Sequence, residues 1–159
     1  MSKAIIIDLD GTLCNMVHRL SFIVNPAKKK DWNTFYSKIG EDTVNGWCYE
    51  IISLFAQQNF NILYVTGRPN NYRSVTMDWL RQNNCPINGL FMREEKDNRK
   101  DDIVKKEIYL SFIKPKYEIL FCIDDRPNVT QMWRSLGLVC LQCNEDMKLE
   151  KVLVLDSSH

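Results

Sequence analysis

The chain has 159 residues, of which 45% are hydrophobic and 26% charged, which is enough apolar material for one domain with a core and argues against global disorder. Its 21 basic and 20 acidic residues leave a formal net charge of +1, which excludes polyanion binding by bulk electrostatics alone. The apolar runs are far shorter than the roughly 20 residues of a membrane-spanning helix, so no membrane partner is expected. Asp8 and Asp10 interrupt the N-terminal apolar run before a signal peptide can develop, so we expect a cytoplasmic protein with reduced cysteines.

Short apolar runs alternate with helical patterns along the chain. Runs without in-out alternation are typical of strands buried on both faces of a parallel sheet. The predicted strands span residues 4–9, 62–66, 90–92, 119–123 and 138–141. The alternation predicts an α/β fold, a doubly wound three-layer Rossmann-like sandwich with a mainly parallel five-stranded sheet. We expect residues 1–159 to form a single domain that binds ligands at the carboxyl ends of its strands.

Four segments between and after these strands place apolar residues at helical spacing, which indicates faces that pack on a core. The predicted faces are Trp47, Ile51, Leu54 and Phe55, then Val75, Trp79 and Leu80, then Val104, Ile108 and Phe112, and last Val129, Met132, Trp133 and Leu136. Pro115, Pro127 and Gly137 mark helix ends.

One segment, residues 14–46, shows no strand pattern, and we interpret it as a small helical insertion, a minimal cap, over the sheet edge. Asp31 predicts the N-cap of a short helix that carries Trp32, Phe35 and Tyr36. The lysines at 28–30 are interpreted as solvated surface rather than as a phosphate-binding patch. The aromatic residues are interpreted as packing the insertion against the sheet, and stacking on a nucleic-acid base is the alternative.

Acidic side chains follow two of the predicted strands. Asp8 and Asp10 lie on one side of the first strand's end, and Asp124 and Asp125 end the fourth. Carboxylates brought together at the ends of buried strands repel one another and cost desolvation free energy unless something neutralises them. A bound Mg²⁺, which prefers oxygen ligands, would neutralise them, so the sequence predicts a magnesium site. The alternative for Asp10 and Gly11 alone is a simple turn.

Two further groups of polar residues accompany the acids. Thr66, Gly67 and Arg68 end the second strand with a hydroxyl, a backbone N–H and a guanidinium, three different anion-binding groups. Asp101 and Lys105 are four residues apart and share one helix face, for which a surface ion pair is the alternative.

In this order and at strand ends, the motifs resemble the haloacid dehalogenase superfamily of phosphotransferases. The residues that carry the resemblance are Asp8-x-Asp10-Gly11-Thr12-Leu13, Thr66-Gly67-Arg68, a lysine and Asp124-Asp125. With Arg19 and the stretch from Met92 to Lys105, the chain is similar to the 3′-phosphatase domain of bacteriophage polynucleotide kinase–phosphatases. The similarity covers residues 4–19 and 60–143, leaves out the insertion, and includes no P-loop kinase sequence.

The resemblance implies hydrolysis of a phosphomonoester through an aspartyl-phosphate. Asp8 would be the nucleophile, and Asp10 would start protonated, give its proton to the leaving group and then activate water. The remaining implied roles are catalysis for Thr66 and Lys105, substrate binding for Arg19, Gly67, Arg68, Arg93 and Asp101, and Mg²⁺ binding for Asp8, the Asp10 carbonyl, Asp124 and Asp125. Lys100 and Lys106 compete with Lys105, an ion pair is the rival role for Arg68, and Arg126 is interpreted as structural.

The slight insertion favours a phosphate at the end of a large molecule, such as a DNA or RNA 3′ end. A small-molecule phosphatase, such as a 5′-nucleotidase or a sugar phosphatase, is the alternative. A non-catalytic binding module is not expected, because it has no need to keep four carboxylates at strand ends, where they cost desolvation free energy. A separate kinase or ligase partner and the oligomeric state are left open.

Cys140 and Cys143 form a C-x-x-C pair, which raises the question of a metal or redox site. Only His18 and His159 could complete a zinc site, no second C-x-x-C exists, and the pair follows a strand rather than opening a helix. We therefore expect no such role.

Overall fold

The structure, a computed structural model, describes residues 1–144. In chain order the elements are β1 (Ser2–Ile7), β2 (Cys14–Asn15), α1 (Val17–Val24), α2 (Trp32–Ser37), β3 (Thr43–Val44), α3 (Gly46–Gln57), β4 (Asn61–Pro69), α4 (Arg73–Gln82), β5 (Gly89–Arg93), α5 (Asp101–Ile108), β6 (Tyr117–Asp124), α6 (Pro127–Ser135) and β7 (Cys140–Gln142). None of the helices within these residues has the length and apolar character needed to cross a membrane.

The main sheet has five strands in the order β5-β4-β1-β6-β7, and every neighbouring pair is parallel. This confirms the predicted fold class and each of the five predicted strands, whose ends move by one to three residues. The largest change is in β4, which runs on through Thr66, Gly67 and Arg68 because Pro69 still pairs with Arg93 of β5. These residues therefore belong to the strand itself rather than to a loop after it.

Helices cover both faces of the sheet. Along β1, Ile5 and Ile7 join one apolar cluster, which also includes residues of α3 and α4, whereas Ala4 and Ile6 join a second, which includes residues of α5 and α6. Alternate side chains of a strand point to opposite faces, so one buried strand supplies both cores of a three-layer sandwich.

The predicted apolar face of α3 is partly correct: Ile51 and Phe55 pack against the core, but the fully buried residues lie one position further along. Cys48 and Ile52 are buried, whereas Trp47 and Leu54 are 42% and 57% exposed. Cys48 acts as a small core hydrophobe, a role that a pattern built on large side chains overlooks.

The predicted face of α5 is correct at Val104 and Ile108 but wrong at Phe112, which is 56% exposed. A π-helical turn, Tyr109–Ile113, follows α5 directly. A π turn holds more residues than an α turn, so the buried face moves by one residue, to Tyr109 and Ile113. The predicted faces of α4 and α6 are confirmed by the burial of Trp79 and Leu80 and of Val129, Met132 and Trp133.

The insertion contains two short strands that the sequence pattern did not predict. β2 and β3 pair antiparallel, with Cys14 opposite Val44, and close the neck of the segment. Such two-residue strands are too short to show any periodicity. Between them, α1 and α2 share a small apolar cluster, and the Asp31 carboxylate accepts a bond of 3.0 Å from the Thr34 backbone N–H, which confirms the predicted N-cap. That residues 1–159 form one domain stays a prediction.

Candidate active site

The acids of β1 and β6 meet because these strands are neighbours in the sheet. Ile7 pairs with Ile123, so Asp8 and Asp124, the next residue of each chain segment, lie side by side. The Asp8 backbone N–H donates to the Ile123 carbonyl at 3.0 Å. Asp8, Asp124 and Asp125 are buried, and each has an oxygen within 4.8 Å of the others. We call these three residues the acid cluster.

Lys105 is the lysine that reaches the acid cluster. Its Nζ donates to Asp8 Oδ1 and to Asp124 Oδ2, both at 2.8 Å, and its side chain is buried. Lys100 and Lys106 are exposed. Burial by itself lowers the pKa of Lys105, but the charges of Asp124 and Asp8 outweigh burial and hold that pKa above its usual value. The side chain is therefore cationic.

One ammonium group does not balance three carboxylates. Burial, followed by the charge of Asp124, raises the pKa of Asp8 well above its usual value and that of Asp125 to about 6. Asp125 Oδ1 is buried without a hydrogen-bond partner among the described residues. A buried oxygen without a partner beside excess negative charge is what a bound cation would satisfy, and an all-oxygen donor set suits Mg²⁺. The residues present therefore fit a magnesium ion.

Gly11 lets the first loop lie against Asp125. Its φ of +83° is in the left-handed region, and a Cβ at this position would collide with the Asp125 carboxylate. The glycine of the first motif is thus required both by its backbone and by the acid cluster.

Asp10 lines the cleft beside Asp8, and its carboxylate is held by two buried arginines. It accepts hydrogen bonds from Arg19 Nη2 at 2.5 Å and from Arg68 Nη2 at 2.6 Å. Burial tends to raise the pKa of Asp10, but Arg68 and Arg19 together hold it well below its usual range. Two guanidinium groups thus stabilise the ionised form of Asp10 in this conformation, and the protonated start that the mechanism requires stays a prediction.

Asp42, which the sequence analysis missed, completes this network. Its carboxylate accepts from Arg19 Nε and Nη2 at 2.7 and 2.6 Å, and it lies 3.4 Å from Arg68 Nη2 and 2.7 Å from His18 Nε2. Arg19 and Arg68 are buried and do not line the cleft. In this structure Arg68 therefore has its alternative role, as an ion-pair partner, and Arg19 likewise forms an ion pair with Asp10. No signal in the sequence singles out Asp42, since it belongs to no motif and Asp31 and Glu41 are acidic residues of the same insertion.

Asp101 organises two other arginines. It pairs with Arg93, whose Nε also donates to the Gly67 carbonyl at 2.9 Å, and it accepts from Arg126 Nη1 at 3.0 Å. A Cβ on Gly67 would lie 2.5 Å from Asp101 Oδ1, so the glycine permits this close approach. Asp101 thus bonds to two arginines, which both line the cleft, and the orienting role of Asp101 and the structural role of Arg126 stay predictions.

The cleft above these residues has a volume of about 780 Å³. Asp8, Asp10, Thr66, Gly67 and Lys105 line it on the sheet side. The buried Thr66 hydroxyl accepts from the Arg68 backbone N–H at 3.2 Å, which leaves its proton free to donate. Residues of the insertion form the opposite wall. The cleft thus brings the Asp8 carboxylate, part of a donor set that fits a cation, together with several anion-binding donors.

Of the C-x-x-C pair, Cys143 lies beside the first loop, where its Sγ is 3.5 Å from Thr12 Oγ1 and its backbone N–H donates to the Asp124 carbonyl at 3.0 Å. Burial raises the pKa of Cys140 and of Cys143 to about 11. Both thiols are therefore protonated near neutral pH, which makes them poor nucleophiles and poor metal ligands.

Comparisons with known proteins agree with this site. The family model described as "Polynucleotide kinase PNKP phosphatase domain" matches residues 2–147. A protein of Autographa californica nuclear polyhedrosis virus, named "Putative bifunctional polynucleotide kinase/RNA ligase", is 25% identical over 138 residues, 86% of this chain and 18% of that protein. A chain in the structure of the "Pnkp1/Rnl/Hen1 RNA repair complex" is 34% identical with a TM-score of 0.77, over 92% of this chain and 44% of that one.

A more distant solved structure shares the fold. The class C acid phosphatase from Bacillus anthracis, with tungstate bound, is 15% identical and has a TM-score of 0.70, over 94% of this chain and 69% of that one. The chain spans less than half the length of the viral and repair-complex relatives.

Proposed function

The chain belongs to the family of polynucleotide kinase PNKP phosphatase domains and is a phosphatase of the haloacid dehalogenase type, and from this premise we propose that it removes a terminal 3′-phosphate from a polynucleotide. The reaction is Mg²⁺-dependent and passes through an aspartyl-phosphate on Asp8. The observation that carries the proposal is the acid cluster with Lys105 between Asp8 and Asp124, of which Asp8 and Lys105 line the cleft.

Asp8 supplies the nucleophile. One of its carboxylate oxygens attacks phosphorus, the bond from phosphorus to the ester oxygen breaks, and the leaving oxygen takes a proton. Water then attacks phosphorus and releases inorganic phosphate and free Asp8. Lys105 favours the ionised form of Asp8 against its burial and is placed to bind the phosphoryl oxygens together with the Thr66 hydroxyl and the Gly67 N–H. Mg²⁺, held by Asp8, the Asp10 carbonyl, Asp124 and Asp125, would offset the repulsion between Asp8 and the phosphoryl dianion.

Asp10 transfers the proton in both steps of the reaction. Its ionised form suits the second step, in which it accepts a proton from the attacking water. The first step needs the opposite form. A phosphoryl dianion bound beside Asp10 raises the pKa of that carboxyl, so Asp10 takes up a proton from solvent and passes it to the leaving oxygen as the bond to phosphorus breaks. Arg19 and Arg68 fix the Asp10 carboxylate for both transfers.

The substrate assignment is supported by the cleft and by the relatives. The small cap leaves the cleft open, and Arg93, Arg126 and Lys30 line it as cations that suit a phosphodiester chain. The names of two relatives refer to polynucleotide and to RNA repair. We further propose that a separate ligase or kinase acts on the same ends, because loss of the 3′-phosphate leaves the hydroxyl that strand joining requires.

A phosphate-release panel tests the proposal. The wild-type protein, with Mg²⁺ or with EDTA, is given a 3′-phosphorylated oligonucleotide, a 5′-mononucleotide and a sugar phosphate. We expect rapid release from the oligonucleotide, no release in EDTA, and phosphate trapped on the wild-type protein but not on Asp8→Asn after acid quenching. Asp78→Asn, at an exposed position on α4, is the matched control. Equal rates on the mononucleotide would indicate a small-molecule phosphatase instead.

A further inference from the structure

Three aromatic side chains form a continuous strip along the cleft wall. Trp32 and Tyr36, on α2, stack with ring centroids 5.8 Å apart and planes 21° apart. Tyr36 then lies 5.0 Å from Tyr72, which belongs to the turn before α4. All three line the cleft, so the strip extends from the cap to the sheet.

Packing of the cap explains only part of the strip. Phe35 is buried in the apolar cluster of α1 and α2, with the Arg19 guanidinium over its ring at 4.3 Å, and Tyr36 packs against the same cluster. Trp32 does not belong to that cluster and is 42% exposed. The exposed part of the Trp32 ring is therefore apolar surface beside the cleft that a ligand could contact.

The chemistry around the strip defines the ligand. Lys30 Nζ lies 5.7 Å from the Trp32 ring, and Arg93 and Arg126 line the same cleft. Tyr36, in the middle of the strip, lines the same cleft as the acids Asp10 and Asp101. A volume of about 780 Å³ exceeds what a phosphate group needs and falls in the range of pockets that hold whole small ligands.

We propose that the strip of Trp32, Tyr36 and Tyr72 is a base-stacking subsite for the nucleotide that carries the phosphate. The inference rests on the proposed function, because it assumes that a phosphate occupies the acid cluster while the attached base reaches the strip. Every base has a π-face, so stacking accepts all four bases with little preference. The subsite therefore favours a phosphate attached to a nucleoside over a phosphate whose attached group carries no aromatic base.

Steady-state kinetics on two oligonucleotides test the subsite. One ends in a normal 3′-phosphorylated nucleotide, and the other has the same sequence but an abasic 3′-phosphorylated sugar. The measured quantity is the ratio of kcat/KM for the first over the second. We expect the wild-type ratio to be about 5 to 150, the range for one base–aromatic stack. Trp32→Ala should lower the ratio towards one, and Trp32→Phe should restore most of it.

Trp47→Ala is the matched control, because Trp47 is also 42% exposed but lies on α3 away from the cleft. It should keep the wild-type ratio, and circular dichroism should show that both variants fold. Equal ratios for the Trp32→Ala and Trp47→Ala variants, or a wild-type ratio near one, would overturn the subsite while leaving the phosphatase proposal intact. Failure of the wild-type protein to release phosphate from either oligonucleotide, with other phosphomonoesters hydrolysed, would overturn both.

Discussion

Removal of the Asp42 carboxylate should destabilise the protein strongly. The side chain has no solvent exposure and faces the buried guanidinium groups of Arg19 and Arg68. In Asp42→Ala, Asp10 alone must balance both cations, since it already accepts from each of them. Breaking a buried ion pair by removing one partner costs about 3–5 kcal/mol, because the other charge stays buried without compensation. The free energy of unfolding should fall by about this amount.

Urea denaturation, followed by circular dichroism with EDTA present, measures the effect. For a chain of this size the loss corresponds to a drop in Tm of about 6–20 °C. Asp42→Asn keeps the side-chain volume and should lose most of the same free energy, which separates charge from cavity formation. Asp78→Ala is the control: its pair with Arg81 is exposed and 3.8 Å long, so its removal should change stability by no more than about 0.5 kcal/mol. If Asp42→Ala costs less than about 1 kcal/mol, the network does not hold the two arginines as described.

Four further predictions concern the site. Lys105→Met should lower kcat by about 10²-fold or more, whereas Lys106→Met, at an exposed position, should stay within about twofold; equal effects would contradict the assignment. Gly11→Ala should cost at least about 1–2 kcal/mol in urea denaturation from its positive φ alone, and it should weaken Mg²⁺ binding by displacing Asp125; unchanged calorimetric affinity would argue against that contact. At about 100 times its Kd, Mg²⁺ should stabilise the wild-type protein by about 2.7 kcal/mol and raise Tm by several degrees, and Asp125→Asn should lose most of this shift. Iodoacetamide should modify Cys143 at least about 100-fold more slowly than a free thiol at pH 7.5, and the rate should rise about tenfold per pH unit towards pH 11, because only the thiolate reacts; fast modification at neutral pH would refute the raised pKa.

Much of the fold was readable from local patterns. The five parallel strands follow from continuous apolar runs, since a strand buried on both faces needs apolar side chains at every position. The acids at the ends of β1 and β6 were equally visible, because parallel strands bring their carboxyl ends to one edge. The faces of two helices were predicted less well. On α3 the predicted Ile51 and Phe55 pack against the core, but the fully buried residues include Cys48, and the π turn after α5 moved the buried face from Phe112 to Tyr109 and Ile113.

The sequence by itself determined the strand pattern, the catalytic motif and the family, because each depends on residues a few positions apart or on motifs in a set order. Only the tertiary structure decided which charges meet: Lys105 rather than its neighbours between Asp8 and Asp124, and Asp42 opposite Arg19 and Arg68. Such pairings join residues from distant parts of the chain. They form because a buried charge without a partner costs free energy, so each buried charge pairs with an opposite charge that the fold brings close to it.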